Sequence, residues 1–170
     1  MTKEAIVTSR KRTKGFTLFE LMVTLAVAAI ILSFGVPGFM SFIQNNRAAT
    51  HTNDLVAALN LGRSEAARRG TAVTLCSSAN GATCSGSNDW SNGWIIRDGA
   101  GNVLRTWPER SGGAGVVSGN VSQVQFQARG SLAAGAAPVL AVRLPDCAGD
   151  QGRDVAINAA GRISTNRVGC

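Results

Sequence analysis

Tyrosine is absent from this 170-residue chain, and histidine occurs once, at His51. That leaves little material for acid–base catalysis near neutral pH, where histidine is the side chain that ordinarily titrates. The chain has no HExxH, no GxxxxGK and no CxxC, so the zincin, phosphate-cradling and dithiol patterns are all missing. One histidine offers no credible completion of a Ser/His/Asp set. Lysine is confined to the first fourteen residues, and every basic residue beyond them is arginine. These shortages argue against an enzyme, and no cofactor is implied.

What is present is unevenly spread. Hydrophobic residues make up 45% of the chain, and much of that share lies between Leu18 and Ile43. The remainder is rich in Gly, Ser, Ala and Asn, which points to a loop-rich β domain. The net charge of +7 is also uneven. Lys3, Arg10, Lys11, Arg12 and Lys14 face Glu4 alone. Without that segment twelve basic and nine acidic residues remain, a net of +3. An all-arginine balance of this size permits phosphate contact without demanding it.

Cys76, Cys84, Cys147 and Cys170 allow three disulfide pairings. Outside the cytoplasm two disulfides are the natural reading. Local closure favours Cys76–Cys84 and Cys147–Cys170, because short loops cost least to close. Asp146, Asp150 and Asp154 flank Cys147 in a Gly-containing loop. Their spacing departs from a calcium-binding EF-hand loop, so solvated carboxylates are expected there and no metal.

The N-terminus reverses the order of an ordinary secretory signal. A polar, basic leader ends at Gly15, and the apolar segment follows, beginning at Phe16. Cleavage at Gly15 would leave that segment on the mature protein. No charged residue lies between Glu20 and Arg47, a length that crosses a bilayer core as a helix. The basic leader orients the N-terminus toward the cytoplasm and the rest of the chain outside it. Glu20 is the exception, because a carboxylate near the start of a membrane helix needs the interface or a partner.

The run Gly15-Phe16-Thr17-Leu18-Phe19-Glu20 resembles the processing site of type IV prepilins and type II secretion pseudopilins. The resemblance implies that prepilin peptidase cuts after Gly15 and methylates the new N-terminal Phe16. It implies too that Glu20 pairs with the N-terminal amine of a neighbouring subunit, two opposite charges attracting strongly in a low dielectric. Phe19 stands where the family usually has Ile. Pro37 matches the family's kink proline, with Gly35 and Gly38 beside it easing a bend.

Beyond the apolar run the helical pattern becomes amphipathic. Ala48, Leu55, Leu59, Gly62 and Ala66 fall on one face, with Val56 beside them. Gly70 suits a C-cap. Arg63, Glu65, Arg68 and Arg69 form a charged cluster read as a solvated face, with Glu65–Arg69 as an i,i+4 pair. After Gly70 short strands are predicted at 71–76, 90–98, 103–107, 121–127, 139–144, 154–158 and 162–165. Asp98-Gly99-Ala100-Gly101-Asn102 reads as a turn. Trp90, Trp94 and Trp107 are expected to anchor the core or the sheet.

The stretches Trp90-Ser91-Asn92-Gly93-Trp94 with Asp98, Gln125-Phe126-Gln127-Ala128-Arg129-Gly130, and Gly161-Arg162 resemble the GspH/FimT family of minor pilins and pseudopilins. The resemblance implies an α+β, pilin-like fold: a long N-terminal α-helix, its first half membrane-spanning, packed on an antiparallel β-sheet head. The expected parts are a leader at 1–15, a transmembrane and assembly helix at 16–43, its amphipathic continuation at 44–70 and the head at 71–170. The implied partners are prepilin peptidase, other major and minor pilins or pseudopilins, and the bacterial inner membrane, with the head periplasmic before assembly into a pilus or pseudopilus.

Three roles fit such a chain: a minor pilin that primes or caps a type IV pilus, a GspH-type pseudopilin of type II secretion, or a DNA-binding minor pilin for natural transformation. The DNA-binding members use a Gly-Arg-x-Arg motif. Here the stretch is Gly161-Arg162-Ile163-Ser164, without the second arginine. Arg167 follows, and a turn held by Cys170 near Cys147 could bring it round. Arg143, Arg153, Arg162 and Arg167 suit salt-sensitive phosphate contact. The alternative is that they project from edge strands and discourage aggregation.

Overall fold

A computed structural model describes residues 15–109, 116–133 and 137–170. Of the leader expected at 1–15, residues 1–14 lie outside the described residues.

One helix, α1 (Leu18–Arg69), runs 52 residues, about 78 Å at 1.5 Å per residue. Thr17 caps its start, its Oγ1 accepting the Glu20 N–H at 3.2 Å; this is the N-cap half of a Thr-x-x-Glu capping box. Its end is closed by Gly70, whose N–H reaches the Ala66 carbonyl at 3.0 Å and whose φ of 65° suits a residue without a Cβ. The chain divides into two compact units, Met1–Met40 and Ser41–Cys170.

In the first unit the described apolar side chains, from Phe16 through Phe39, are exposed. Among the described residues this is the helix long and apolar enough to cross a membrane. Pro37 lies inside α1 and removes one backbone donor from its ladder.

The second unit carries eight described strands: β1 (Val73–Ser77), β2 (Gly93–Asp98), β3 (Val103–Pro108), β4 (Val116–Gly119), β5 (Gln123–Phe126), β6 (Val139–Arg143), β7 (Gly152–Ile157) and β8 (Ile163–Val168). They form two four-stranded antiparallel sheets, ordered β3-β2-β1-β5 and β4-β6-β7-β8. One face of α1 supplies Ala48, Leu55, Ala58, Leu59 and Ala66 to the core. Gly62 lies on that face against the Phe126 ring. The first sheet adds Val73, Leu75, Trp94, Ile96, Val124 and Phe126. The second adds Val117, Leu140, Val142, Val155 and Ile157. Each Val, Leu, Ile or Phe among them contributes about 1.5–3 kcal/mol when fully buried.

Trp90 joins the two sheets. It is fully buried, its backbone N–H reaches the Val117 carbonyl at 2.7 Å, and its indole N–H reaches the Val121 carbonyl at 3.0 Å. Trp94 faces Trp107 across β2 and β3, and the Arg105 guanidinium stands 5.4 Å from the centre of the Trp107 ring. Cys76 pairs with Cys84, and Cys147 with Cys170. The first bridge folds residues 78–88 back beside β1, where Ser77 Oγ meets Ser85 Oγ at 2.7 Å.

Three expectations need correction. Strand β4 was not predicted: it is four residues long, ends on a glycine and offers no alternation to read. Arg162 is not in a strand; it closes the β7–β8 turn, where its N–H reaches Asn158 Oδ1 at 2.9 Å. Arg167 is not carried round by a turn. It lies within β8, directly opposite Arg153 of β7.

Candidate functional site

The N-terminal site is simple in geometry. Gly15 and Phe16 precede the helix, and Phe16 is 78% exposed. Glu20 lies in the first turn of α1 and is exposed, where the positive end of the helix dipole favours a carboxylate. Sequence reasoning passed over Thr17, although the Thr-x-x-Glu spacing was there to be read. Phe16, Thr17 and Glu20 together form an exposed segment that leads at once into a capped helix with one acidic group in its first turn.

The charged cluster at the other end of α1 divides into two. Glu65 accepts hydrogen bonds from Arg68 and Arg69, each at 2.7 Å, and these two arginines, Arg69 foremost, hold its carboxyl below the usual carboxylate range. Arg69 also approaches Asp98 at 3.9 Å. Asp98 organises the turn after β2, accepting from the Ala100 and Asn102 N–H groups and the Asn102 side chain. Its carboxyl too is held low, chiefly by Asn102.

Arg63, expected on the same solvated face, instead turns into the head. Its Nε donates to the Gly130 carbonyl at 3.1 Å and its Nη2 to the Ala160 carbonyl at 3.3 Å. A single helix side chain thereby ties the turn after β5 to the β7–β8 turn. Gly130 and Gly161 have φ of 75° and 76°. A Cβ on Gly161 would strike the Gly130 carbonyl oxygen, and one on Gly130 would crowd the Arg63 stem at 3.2 Å. No local pattern announces this contact, because its partners are backbone carbonyls 67 and 97 residues away.

The two arginines of the expected DNA-binding pair, Arg162 and Arg167, do not converge. Arg162 and Arg167 stand five residues apart along an extended segment, about 17 Å at the usual strand rise. Arg162 sits at the turn beside Gly161, and Arg129 is exposed on the adjoining turn. Arg167 is exposed at the far end of β8, opposite Arg153. Arg143 is committed to Asp154 at 2.9 Å and to the Val142 and Arg153 carbonyls. Arg153 bonds the Asp150 and Gly152 carbonyls and reaches Asn45 Oδ1 of α1 at 3.5 Å. Partial burial and the facing Arg167 lower its pKa. Among the described residues no group of three or more His, Cys, Asp or Glu could hold a metal ion.

The family model described as "Type II transport protein GspH" matches residues 51–161. The chain belongs to the GspH family. The prokaryotic N-terminal methylation motif matches residues 10–36, which brackets Gly15, Phe16 and Glu20. Two crystal structures of the type IV minor pilin FimU from Pseudomonas aeruginosa share the fold. One has a TM-score of 0.60 at 24% identity, covering 74% of this chain and 92% of that one. The other has a TM-score of 0.56 at 23% identity, covering 69% and 91%. No curated protein matches the chain significantly. Pilins and pseudopilins are structural rather than catalytic, and this GspH-family chain is a member of that class.

Proposed function

We propose that the chain is a minor pilin of a type IV pilus, cut by prepilin peptidase after Gly15, methylated on Phe16, and used to prime the filament or form its tip. The observation that carries this reading is the joining of an N-terminal methylation motif at residues 10–36 to a GspH-family head at residues 51–161 by one continuous helix. Before assembly the apolar part of α1 anchors the chain in the inner membrane with the head periplasmic. On assembly Glu20 pairs with the freed amine of a neighbouring subunit and sets its register. The Glu20→Ala chain should still insert in the membrane but should be absent from filaments. Normal incorporation of that variant would refute the role given to Glu20.

A second reading is a pseudopilin of type II secretion, and the family's own description favours it. The two are separated by finding which filament system loses assembly when the chain is deleted. DNA capture through Arg162 and Arg167 has weaker support, since roughly 17 Å of strand separates them.

A further inference from the structure

Three of the four edges of the two sheets are blunted. On its free side β4 meets residues 88–90, where the Trp90 N–H reaches the Val117 carbonyl and the Gly119 N–H the Asn88 carbonyl. Residues 131–133 cover β5 in the same way. β3 ends on Pro108 and pairs through a bulge between Ile96 and Arg97; proline and bulges are devices that protect an edge. β8 has none of these. Its register with β7 runs unbroken from Ile163 to Val168, its four central residues are exposed, and it contains no proline.

The pairing fixes which backbone groups of β8 are free. β7 sends the Ile157 N–H to the Pro138 carbonyl on the β6 side and the Asn158 N–H to the Arg162 carbonyl on the β8 side. Backbone groups of an antiparallel strand alternate in direction from one residue to the next. With Ala156 opposite Ser164, Asp154 opposite Asn166 and Gly152 opposite Val168, β8 spends those three residues on β7. The N–H and C=O groups of Ile163, Thr165 and Arg167 therefore point out of the sheet edge, and no backbone group among the described residues takes them. Both ends of the strand are held. Arg63 binds the Ala160 carbonyl before it. The Cys147–Cys170 bridge closes after it, with the Cys170 N–H on the Gly149 carbonyl. A strand already held in place loses little freedom when another pairs with it.

The side chains of the same three residues share one face of the sheet. It is the inner face, because Ile157 and Val155, opposite Ile163 and Thr165, lie in the core. Ile163 is half-buried against that core, and Thr165 is exposed. The Arg167 side chain makes no ion pair among the described residues. Arg153, opposite it, spends its donors on the Asp150 and Gly152 carbonyls and on Asn45. The positive charge at this end of the edge thus has no carboxylate beside it. A second copy of β8 would not supply one, since Ile163–Val168 contains no acid. An acid directly across from an arginine is a favourable cross-strand pair, and a second arginine there is unfavourable.

We propose that the free edge of β8 docks an extended acidic segment of another protein chain, which adds as the next strand of the second sheet. It runs antiparallel, as every pairing in that sheet does. Read in its own direction, the segment places an acid beside Arg167, a β-branched residue beside Thr165 and an apolar residue beside Ile163, one position skipped between each. Main-chain bonds supply the affinity and the three side chains the selection. The proposal rests on the sheet edge alone, and on no filament or membrane role.

The test uses the full chain in detergent micelles and the end-capped synthetic peptide Ser-Glu-Gln-Thr-Gln-Ile-Ser. Amide hydrogen exchange is followed by NMR along β8, with β6 amides as the control for folding. With peptide at about ten times its dissociation constant, the Thr165 and Arg167 amides should exchange about tenfold slower. The Ser164 and Asn166 amides, already bonded to β7, should not change. Replacing the peptide's Glu by Gln should weaken binding about two- to fivefold. Thr165→Pro removes an outward N–H that the fold does not use, and should abolish the slowing while β6 stays protected. Arg167→Glu leaves the backbone untouched and should turn the preference toward a peptide with Lys in place of Glu. No slowing at millimolar peptide, slowing that does not alternate along the strand, or equal affinity for the Glu and Gln peptides would each overturn the proposal. So would protection of Thr165 and Arg167 that rises with protein concentration alone, which would assign the edge to a second copy of this chain.

Discussion

Arg63 reaches from α1 to the carbonyl of Gly130 at 3.1 Å, and the same guanidinium holds the Ala160 carbonyl. The family-resembling segments at 125–130 and 161–162 thus meet at one helix side chain, and their glycines are required by that meeting. Removing Arg63 strands the carbonyl of buried Gly130, while the exposed Ala160 carbonyl turns to water. Arg63→Ala should cost about 1–3 kcal/mol, and Gly161→Ala should cost more, because its φ of 76° and the clash with Gly130 add strain. Urea unfolding followed by tryptophan fluorescence checks both. An unchanged midpoint for Arg63→Ala would show that the contact is idle.

Gly62 should behave in the opposite way. It is helical, and a Cβ there would meet Phe126 at 3.5 Å, an ordinary contact distance. Gly62→Ala should therefore raise stability by about 0.5–1 kcal/mol through helix propensity. A loss in the same unfolding assay would mean that the helix must sit closer to the sheet than these distances indicate.

Each disulfide closes a loop, of sequence separation 8 for Cys76–Cys84 and 23 for Cys147–Cys170. Loop-closure entropy gives roughly 3 kcal/mol for either bridge, slightly more for the longer. Paired serine substitutions should lower the urea midpoint in that order. Equal stability of reduced and oxidised protein would contradict the assignment of either bridge as a structural tie.

The carboxyls of Glu65, Asp89 and Asp98 are all held low, by Arg69 and Arg68, by Ser91 and by Asn102 respectively. A depressed folded-state pKa means that the unfolded chain takes up protons first as pH falls. The stability these groups contribute is present above the ordinary carboxylate range and is lost as pH drops through and below it. Unfolding midpoints should fall between neutral pH and about pH 3. Asp98→Asn should flatten part of that slope, and a slope unaffected by it would remove Asp98 from the account.

Much of the fold was legible. The helix face of Ala48, Leu55, Leu59, Gly62 and Ala66 is the buried one, because a 3.6-residue period survives whatever the helix packs on. The long β strands announced themselves through β-branched residues and Gly/Asn turns. Two sheets rather than one could not be read, since strand order depends on long-range pairing. The Arg63 contact was hidden for the same reason: its acceptors are backbone groups, which carry no residue signature. The facing of Arg153 and Arg167 depends on β7–β8 register, which a stretch as polar as Ser164-Thr165-Asn166-Arg167 does not specify on its own.

The mass of the mature N-terminus, measured on chain recovered from membranes of cells with an active prepilin peptidase, tests the central claim most directly. The account predicts a protein beginning at Phe16 and carrying one added methyl group. An N-terminus still at Met1, or a cut elsewhere that removes the apolar segment, would contradict it.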